Sequence, residues 1–297
     1  MNDPILAPAA TRPKAAQAQE HVFSGMRTNG PARLWRIGGA LLLAVPLAAV
    51  LLGLLAARAD AQPRIKVHCE VYATNYVDPI AFSDHLHHQI GNTSTTNNST
   101  AESLLNNRST SCDMEWFTTA GWFPVERYEE SVSGVNVYYR APGDQTQIAD
   151  IPKGLQLLGT REQYVCNGDG TGDGLQSTPV YGCNERWGTR VTFPWCWNGF
   201  SLEESATVYG PTNSKCPASN PIRLPHIEYL VMHLNKDGVV PNPLQVSAGV
   251  DAWEDYTFMH ADYFAANQPV FNNELLDLCL RDAPDRVTVA SPECGQR

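Results

Sequence analysis

Four stretches of the chain, residues 65–72, 135–140, 190–195 and 227–234, concentrate β-branched and aromatic residues between turn signals. That pattern predicts strands. Pro and Gly punctuate the intervals at Pro142-Gly143, Pro152, Pro194 and Pro241-Asn242-Pro243. Short strands separated by loops, without regularly alternating helices, predict a mainly β fold: a single β-sandwich or jelly-roll-like domain with long loops. Helical signals are few. Residues 100–106 follow a Ser/Thr cap, and residues 272–280 carry Leu275, Leu276, Leu278 and Leu280. The Asn- and Thr-rich stretch 92–100 reads as a solvated surface loop, with glycosylation sequons at Asn92, Asn97, Asn98 and, further on, Asn107.

The pattern changes at residues 37–57, which run IGGALLLAVPLAAVLLGLLAA without a charge. Arg27, Arg33 and Arg36 precede the run, and Ala59-Asp60-Ala61 follows it as an A-x-A cleavage pattern. At 1.5 Å per residue, about 20 residues cross the hydrocarbon of a bilayer, so the run is long enough for a retained membrane helix, although the well-placed cleavage pattern favours a signal peptide. The expected organisation is a disordered cytoplasmic-side segment over 1–36, a signal peptide or anchor over 37–61, and one domain over 62–297. Either fate of the run puts that domain outside the cytoplasm, secreted or held at the membrane through residues 37–57.

Composition narrows the function classes. Lys and Arg number 21 and Asp and Glu 31, a net charge of −10. Without a basic run, an acidic chain makes a poor nucleic-acid partner, because the phosphate backbone rewards clustered cations. With 43% hydrophobic and 18% charged residues, the chain is not wholly disordered. All eight cysteines lie after the apolar run and none forms a C-x-x-C pair, which speaks for disulfides in an exported domain rather than zinc or redox chemistry. Eight cysteines allow 105 pairings. Nearest-neighbour closure gives Cys69–Cys112, Cys166–Cys183, Cys196–Cys216 and Cys279–Cys294.

Candidate chemistry centres on histidines. In Asp84-His85-Leu86-His87-His88 an extended backbone over 82–90 would put His85 and His87 on one face and Leu86 and His88 on the other. His260-Ala261-Asp262 repeats the i, i+2 spacing with an imidazole and a carboxylate. Together they supply three imidazoles and an acid, sufficient for a divalent metal ion on His85, His87 and His260, or for a proton-transfer pair. Bonding of these rings to loop carbonyls is the structural alternative. His68, His226 and His233 stand alone and read as structural. Residues 167–178 imitate the start of a calcium loop at Asn167, Asp169 and Thr171, but Thr178 stands where bidentate closure needs Glu, so a turn between cysteines is the better reading. No G-x-S-x-G elbow, P-loop or dinucleotide fingerprint occurs. The many rings, Trp116, Trp122, Tyr138, Tyr139, Trp187, Trp195, Trp197 and Trp253, suit a core, and any that are exposed would suit a sugar face.

An ordered series of short pieces then emerges: Asp78-Pro79-Ile80, His85-Leu86-His87, Gly91-Asn92-Thr93-Ser94, Thr110-Ser111-Cys112, Tyr138-Tyr139-Arg140, Pro152-Lys153-Gly154-Leu155, Phe193-Pro194-Trp195-Cys196-Trp197-Asn198-Gly199, Cys216-Pro217, His260-Ala261-Asp262-Tyr263-Phe264 and Leu276-Asp277-Leu278-Cys279-Leu280. In this order, from about Val67 to Leu280, the chain resembles the extracellular "domain of unknown function 1996" family of secreted fungal and bacterial proteins. The resemblance implies a shared site at His85, His87, His260 and Asp262. It implies no reaction. The family's usual Asp-His-x-Ser-His-type segment is here residues 203–209, EESATVY, without histidine, and Asn198 stands in place of the usual Asp. Two functions follow as expectations. One is a carbohydrate-active hydrolase or lyase, with His85 or His87 as acid/base, Asp262 orienting His260 and Arg140 holding an acidic sugar or developing negative charge. The other is a non-catalytic surface protein that binds envelope glycan and has lost turnover.

Overall fold

Along strand β1 (Arg64–Cys69), Ile65, Val67 and Cys69 are buried while Arg64, Lys66 and His68 face outward. The same period of two governs β5 (Val132–Arg140) and β12 (His226–Leu234), where Val135, Val137, Tyr139, Ile227, Tyr229 and Val231 join one core. With β8 (Arg186–Thr192) and β7 (Arg161–Cys166) these strands form a five-stranded antiparallel sheet in the order β1-β5-β12-β8-β7. The computed structural model describes residues 63–81, 83, 85–125, 132–141, 145–166, 186–211, 215–234, 245–249, 252–255, 259–282 and 292–295.

A second antiparallel sheet has the order β2-β3-β4-β15-β6, from Ala73–Asn75, His87–Gly91, Ala120–Pro124, Ala261–Phe264 and Gln156–Gly159. Its inward residues Ile90, Phe123, Leu157, Ala261 and Tyr263 lie in the same core as those of the first sheet. The sheets meet closely. Phe193 and Tyr263 rings are 6.0 Å apart, and a Cβ added to Gly121 would fall 2.3 Å from the Tyr229 hydroxyl oxygen. Short pairs complete the β structure: β9 (Cys196–Trp197) between β10 (Thr207–Val208) and β11 (Ile222–Arg223), and the hairpin β13 (Gln245–Gly249) with β14 (Ala252–Asp255).

Helices are few, as the sequence predicts. Helix α1 (Ala101–Asn106) starts at Thr100, whose hydroxyl accepts from the Ser103 N–H while the Ser103 hydroxyl lies 2.9 Å from the Thr100 N–H, a reciprocal cap. The leucine-rich C-terminal stretch is wound more widely than an α-helix, as π-helical turns at Phe271–Leu275 and Asp277–Arg281 that bury Phe271, Leu275, Cys279 and Leu280. Disulfides close Cys69–Cys112, Cys196–Cys216 and Cys279–Cys294, the nearest-neighbour pattern. The fourth expected pair, Cys166–Cys183, the candidate calcium loop and the apolar run 37–57 with its cleavage pattern lie outside the described residues. Among the described residues no helix is long and apolar enough to cross a membrane.

The stretch 92–100 is not simply solvated. Asn92 has no exposed surface, whereas Asn97, Asn98 and Asn107 are exposed, so the first sequon is closed to modification and the other three are open.

Candidate metal centre on the outer face of the second sheet

The register of the second sheet assembles the site. Gln89 on β3 pairs with Trp122 on β4, and Trp122 pairs with Asp262 on β15. Two residues along, His87 pairs with Pro124, and His260 lies just before β15 at the position that continues this row. Alternation puts His87, Gln89, Trp122, Asp262 and His260 on the outward side, opposite Ile90, Phe123, Ala261 and Tyr263. Pro124, the partner of His87 on β4, lies between the two histidine rows in this register. His85 is not on a strand as the extended reading had it. It sits in a bend before β3, held because the Leu86 N–H donates to Ser247 Oγ at 3.0 Å and the Leu86 carbonyl accepts from Val125 N–H at 2.9 Å.

Three imidazoles from segments more than 170 residues apart thereby converge. Ring centroids are 4.3 Å apart for His85 and His87, 5.3 Å for His85 and His260, and 5.9 Å for His87 and His260. One ligating nitrogen from each lies within 4.8 Å of the others. A tetrahedral ion with metal–nitrogen bonds of 2.0–2.1 Å holds its nitrogens about 3.3 Å apart, so modest rotamer closure would complete the set. His87 is buried while His85 and His260 are partly exposed, which leaves one side open.

The tautomer of His87 follows from its neighbour. The Ser83 hydroxyl donates to the His85 carbonyl at 2.8 Å, so its oxygen is left to accept from Nδ1–H of His87 at 3.4 Å. Nε2 then carries the lone pair, and this atom is buried without a hydrogen-bond partner. Burial, followed by the neighbouring His85, His260 and His88, lowers the His87 pKa to about 2, which keeps the ring in its neutral, ligating form.

Carboxylates border the imidazoles. Asp262 Oδ2 is 3.7 Å from His260 Nε2, an electrostatic neighbour beyond hydrogen-bond distance. Burial holds the Asp262 carboxyl well above the usual range, and the charges of Asp78 and Glu204 push it further. Glu204 is raised by burial and then by Asp78. Asp78 and Glu204 thus lie near enough to Asp262 to act on it electrostatically, a proximity that sequence reasoning missed. Glu204 belongs to the stretch 203–209, so the segment that lacks histidine brings a carboxylate near Asp262. Two more buried polar atoms on the same outward row, Gln89 Oε1 and Trp122 Nε1, have no hydrogen-bond partner.

Arg140 is not part of this site. It lies on β5 of the first sheet, faces outward there, and ion-pairs with Glu228 at 2.7 Å while its guanidinium covers the Tyr138 ring at 4.9 Å. With the inward faces of the two sheets packed together, its outward position puts it on the side opposite the histidines. An arginine that follows paired aromatics gives no signal of which sheet its strand joins. Of the three lone histidines, His68 has its Nδ1 3.0 Å from Asn136 Oδ1, His233 stacks on Trp187 with centroids 3.9 Å apart, and His226 lies 4.3 Å from the Trp195 ring. Most of the conspicuous rings, Trp122, Tyr138, Tyr139, Trp187 and Trp195, are core.

Fold and site together define a disulfide-bonded, mainly β protein that carries a three-histidine centre on an outer sheet face. Residues 75–266, more than half of the chain, match the family described as "Domain of unknown function (DUF1996)", and the chain belongs to that family. No curated protein and no solved structure matches the chain. The family and the disulfides are both consistent with an extracellular location.

Proposed function

We propose that this is an extracellular carbohydrate-active domain, a hydrolase or lyase, in which His85, His87 and His260 hold one divalent transition-metal ion. The observation that carries the reading is the convergence of those three imidazoles from two distant segments on one partly open sheet face. An imidazole set suits Zn, Cu, Fe or Ni, and three protein ligands leave a position for water or substrate. Bound there, the ion supplies Lewis-acid polarisation and a more acidic water. The apolar run 37–57 delivers the domain outside the cytoplasm, whether cleaved or kept as an anchor.

The substrate class follows from what borders the ion. The acids Asp78 and Glu204, which act electrostatically on the buried Asp262 beside His260, make this side of the sheet a poor host for an anion, which favours a neutral glycan over an acidic one. Phe200, four residues before Glu204, is 91% exposed. Its turn is rigid: Asn198 Oδ1 accepts from the N–H of Phe200 and of Ser201, and Trp197 Nε1 donates to the Ser201 carbonyl. A fixed, exposed ring suits stacking on a sugar face. A second reading, glycan binding without turnover, is favoured by the absence of the histidine-containing segment at 203–209.

Metal analysis of the purified domain tests the centre. About one ion per chain is expected after loading with Zn, Cu or Mn followed by desalting, and His85→Ala with His87→Ala should remove it. The same pair of proteins, incubated with a panel of neutral polysaccharides, should show product only with the intact histidines. Glycan retention without product would select the second reading. No metal uptake by the folded wild type would end the metal-dependent reading, and glycan retention unchanged in the double variant would select the second.

A further inference from the structure

The outward face of the first sheet carries a second, chemically opposite cluster. Arg64, Lys66, Arg140, Arg161 and Arg190 all project from it, five of the fifteen cations in residues 62–297, a region whose net charge is −13. Among the described outward residues of this sheet, Glu228 is the single carboxylate. It is almost fully buried and shared: its Oε2 accepts from Arg140 Nε at 2.7 Å, and its Oε1 lies 3.6 Å from Arg190 Nη1. The side chains of Arg140, Arg190 and Glu228 are only 12%, 17% and 3% exposed.

Two guanidiniums and one carboxylate leave one positive charge in excess in a largely dehydrated place. Arginine does not relieve this by losing a proton, since its pKa exceeds 12. An uncompensated buried charge is expensive, and a group of opposite sign bound beside it would lower that cost. Three nitrogens here have no hydrogen-bond partner although each is buried: Arg140 Nη2, Arg190 Nε and His226 Nε2. They are close neighbours. Arg140 and His226 are paired across β5 and β12, and His226 feels the charges of Arg190, Arg140 and Arg161 together with that of Glu228. Arg161 is fixed above the Tyr209 ring at 3.9 Å, and Trp195, 4.3 Å from the His226 ring, closes the side.

We infer that Arg140, Arg190 and His226 form a binding site for one small oxyanion: a phosphate, a sulfate or the carboxylate of a uronic-acid residue. The forked donors of arginine match two oxygens of such a group, and the excess positive charge matches its own. This site is independent of the histidine centre and lies on the other sheet.

Calorimetric titration of the intact exported domain with inorganic phosphate, sulfate and galacturonate, each at constant ionic strength set with chloride, tests the inference. Saturable binding of one anion per chain is expected, with a parallel rise in Tm that levels off. Preference among the three probes identifies the natural source as free ion or sugar carboxylate. Arg190→Gln should weaken binding at least about tenfold, and Glu228→Gln should strengthen it by about as much, because it removes the competing charge. Arg161→Gln, at the exposed rim, should weaken it severalfold with the fold intact, which guards against loss of folding in the buried variant. Absence of saturable binding by wild type, or wild-type affinity in Arg190→Gln and Arg161→Gln alike, would overturn the inference.

Discussion

The side-chain amide of Asn92, without exposed surface, has its Nδ2 within 2.9, 2.8 and 3.2 Å of the carbonyls of Leu104, Asn107 and Thr118. Its Oδ1 accepts from both the N–H and the hydroxyl of Ser94. One residue thus ties the end of β3, helix α1 and the segment leading to β4. An Asn92→Ala substitution strands buried carbonyls that no solvent reaches, at about 1–3 kcal/mol each where no water enters. A loss of about 3 kcal/mol is expected, read as a fall in the urea midpoint with an unchanged slope. Asn92→Asp, nearly identical in shape, should lose at least as much, since it turns a carboxylate oxygen toward those carbonyls. Equal stability of wild type and Asn92→Asp would show that donation by Nδ2 is not what the position requires. The sequon at Asn92 is therefore a consequence of this packing role, and nothing in the local sequence distinguishes it from the exposed Asn97, Asn98 and Asn107.

At the scale of elements, the approach of the two sheets depends on Gly121. A Cβ there would meet the Tyr229 hydroxyl oxygen at 2.3 Å and Cζ at 3.1 Å, and Tyr229 is fully buried. Gly121→Ala should cost about 1–3 kcal/mol by forcing strands β4 and β12 apart. Tyr229→Phe alone should cost little, because its hydroxyl makes only a 3.4 Å bond to the Asp262 carbonyl. Combined with Gly121→Ala it should recover part of the loss, a coupling measurable in a double-mutant cycle. Additive effects would place the strain elsewhere. Such a contact is invisible in sequence, and the same reason limits what else was legible. The strands of the first sheet announce themselves because β1, β5 and β12 alternate buried and outward residues over six to nine positions. Those of the second do not. His87–Gly91, Ala120–Pro124 and Ala261–Phe264 are short and buried on both faces, so their sequences HHQIG, AGWFP and ADYF carry no alternation. The i, i+2 spacing at His85 and His87, and at His260 and Asp262, is local and could be read. That the two pairs meet depends on β3 and β15 flanking β4, a matter of strand order. For the same reason the sequence does not show that Arg140, expected beside the histidines, lies on β5 of the other sheet. Asp78 and Glu204 were overlooked because isolated acids on loops have no spacing to mark them.

The whole molecule presents two outer faces of opposite character, imidazoles and carboxylates on one sheet and guanidiniums on the other, with the common core between. Buried titratable groups on the first sheet make stability depend on pH even with no ligand bound. Burial lowers the His226 pKa to about 4, an effect that Glu228 opposes and that the cations Arg190, Arg140 and Arg161 reinforce. The folded value lies below the unfolded 6.5, so between those pH values the unfolded chain binds the extra proton and stability falls as the solution is acidified. A shift of this size corresponds to roughly 3 kcal/mol across the window. Glu162, half-buried on β7, has its pKa raised by burial to about 7. Its sign is the reverse: the folded protein holds the proton longer, so stability is greatest below the unfolded value and falls as pH rises toward 7. Because Glu162 is half exposed, solvent screening leaves about 1 kcal/mol. In chloride buffers free of oxyanions, His226→Gln should therefore flatten the acid limb between pH 6.5 and 4. Glu162→Gln should raise stability above pH 7 and change nothing at pH 4. Denaturant titrations at pH 4, 5.5, 7 and 8 distinguish these outcomes, and an acid limb that persists in His226→Gln would assign it to carboxylates elsewhere in the molecule.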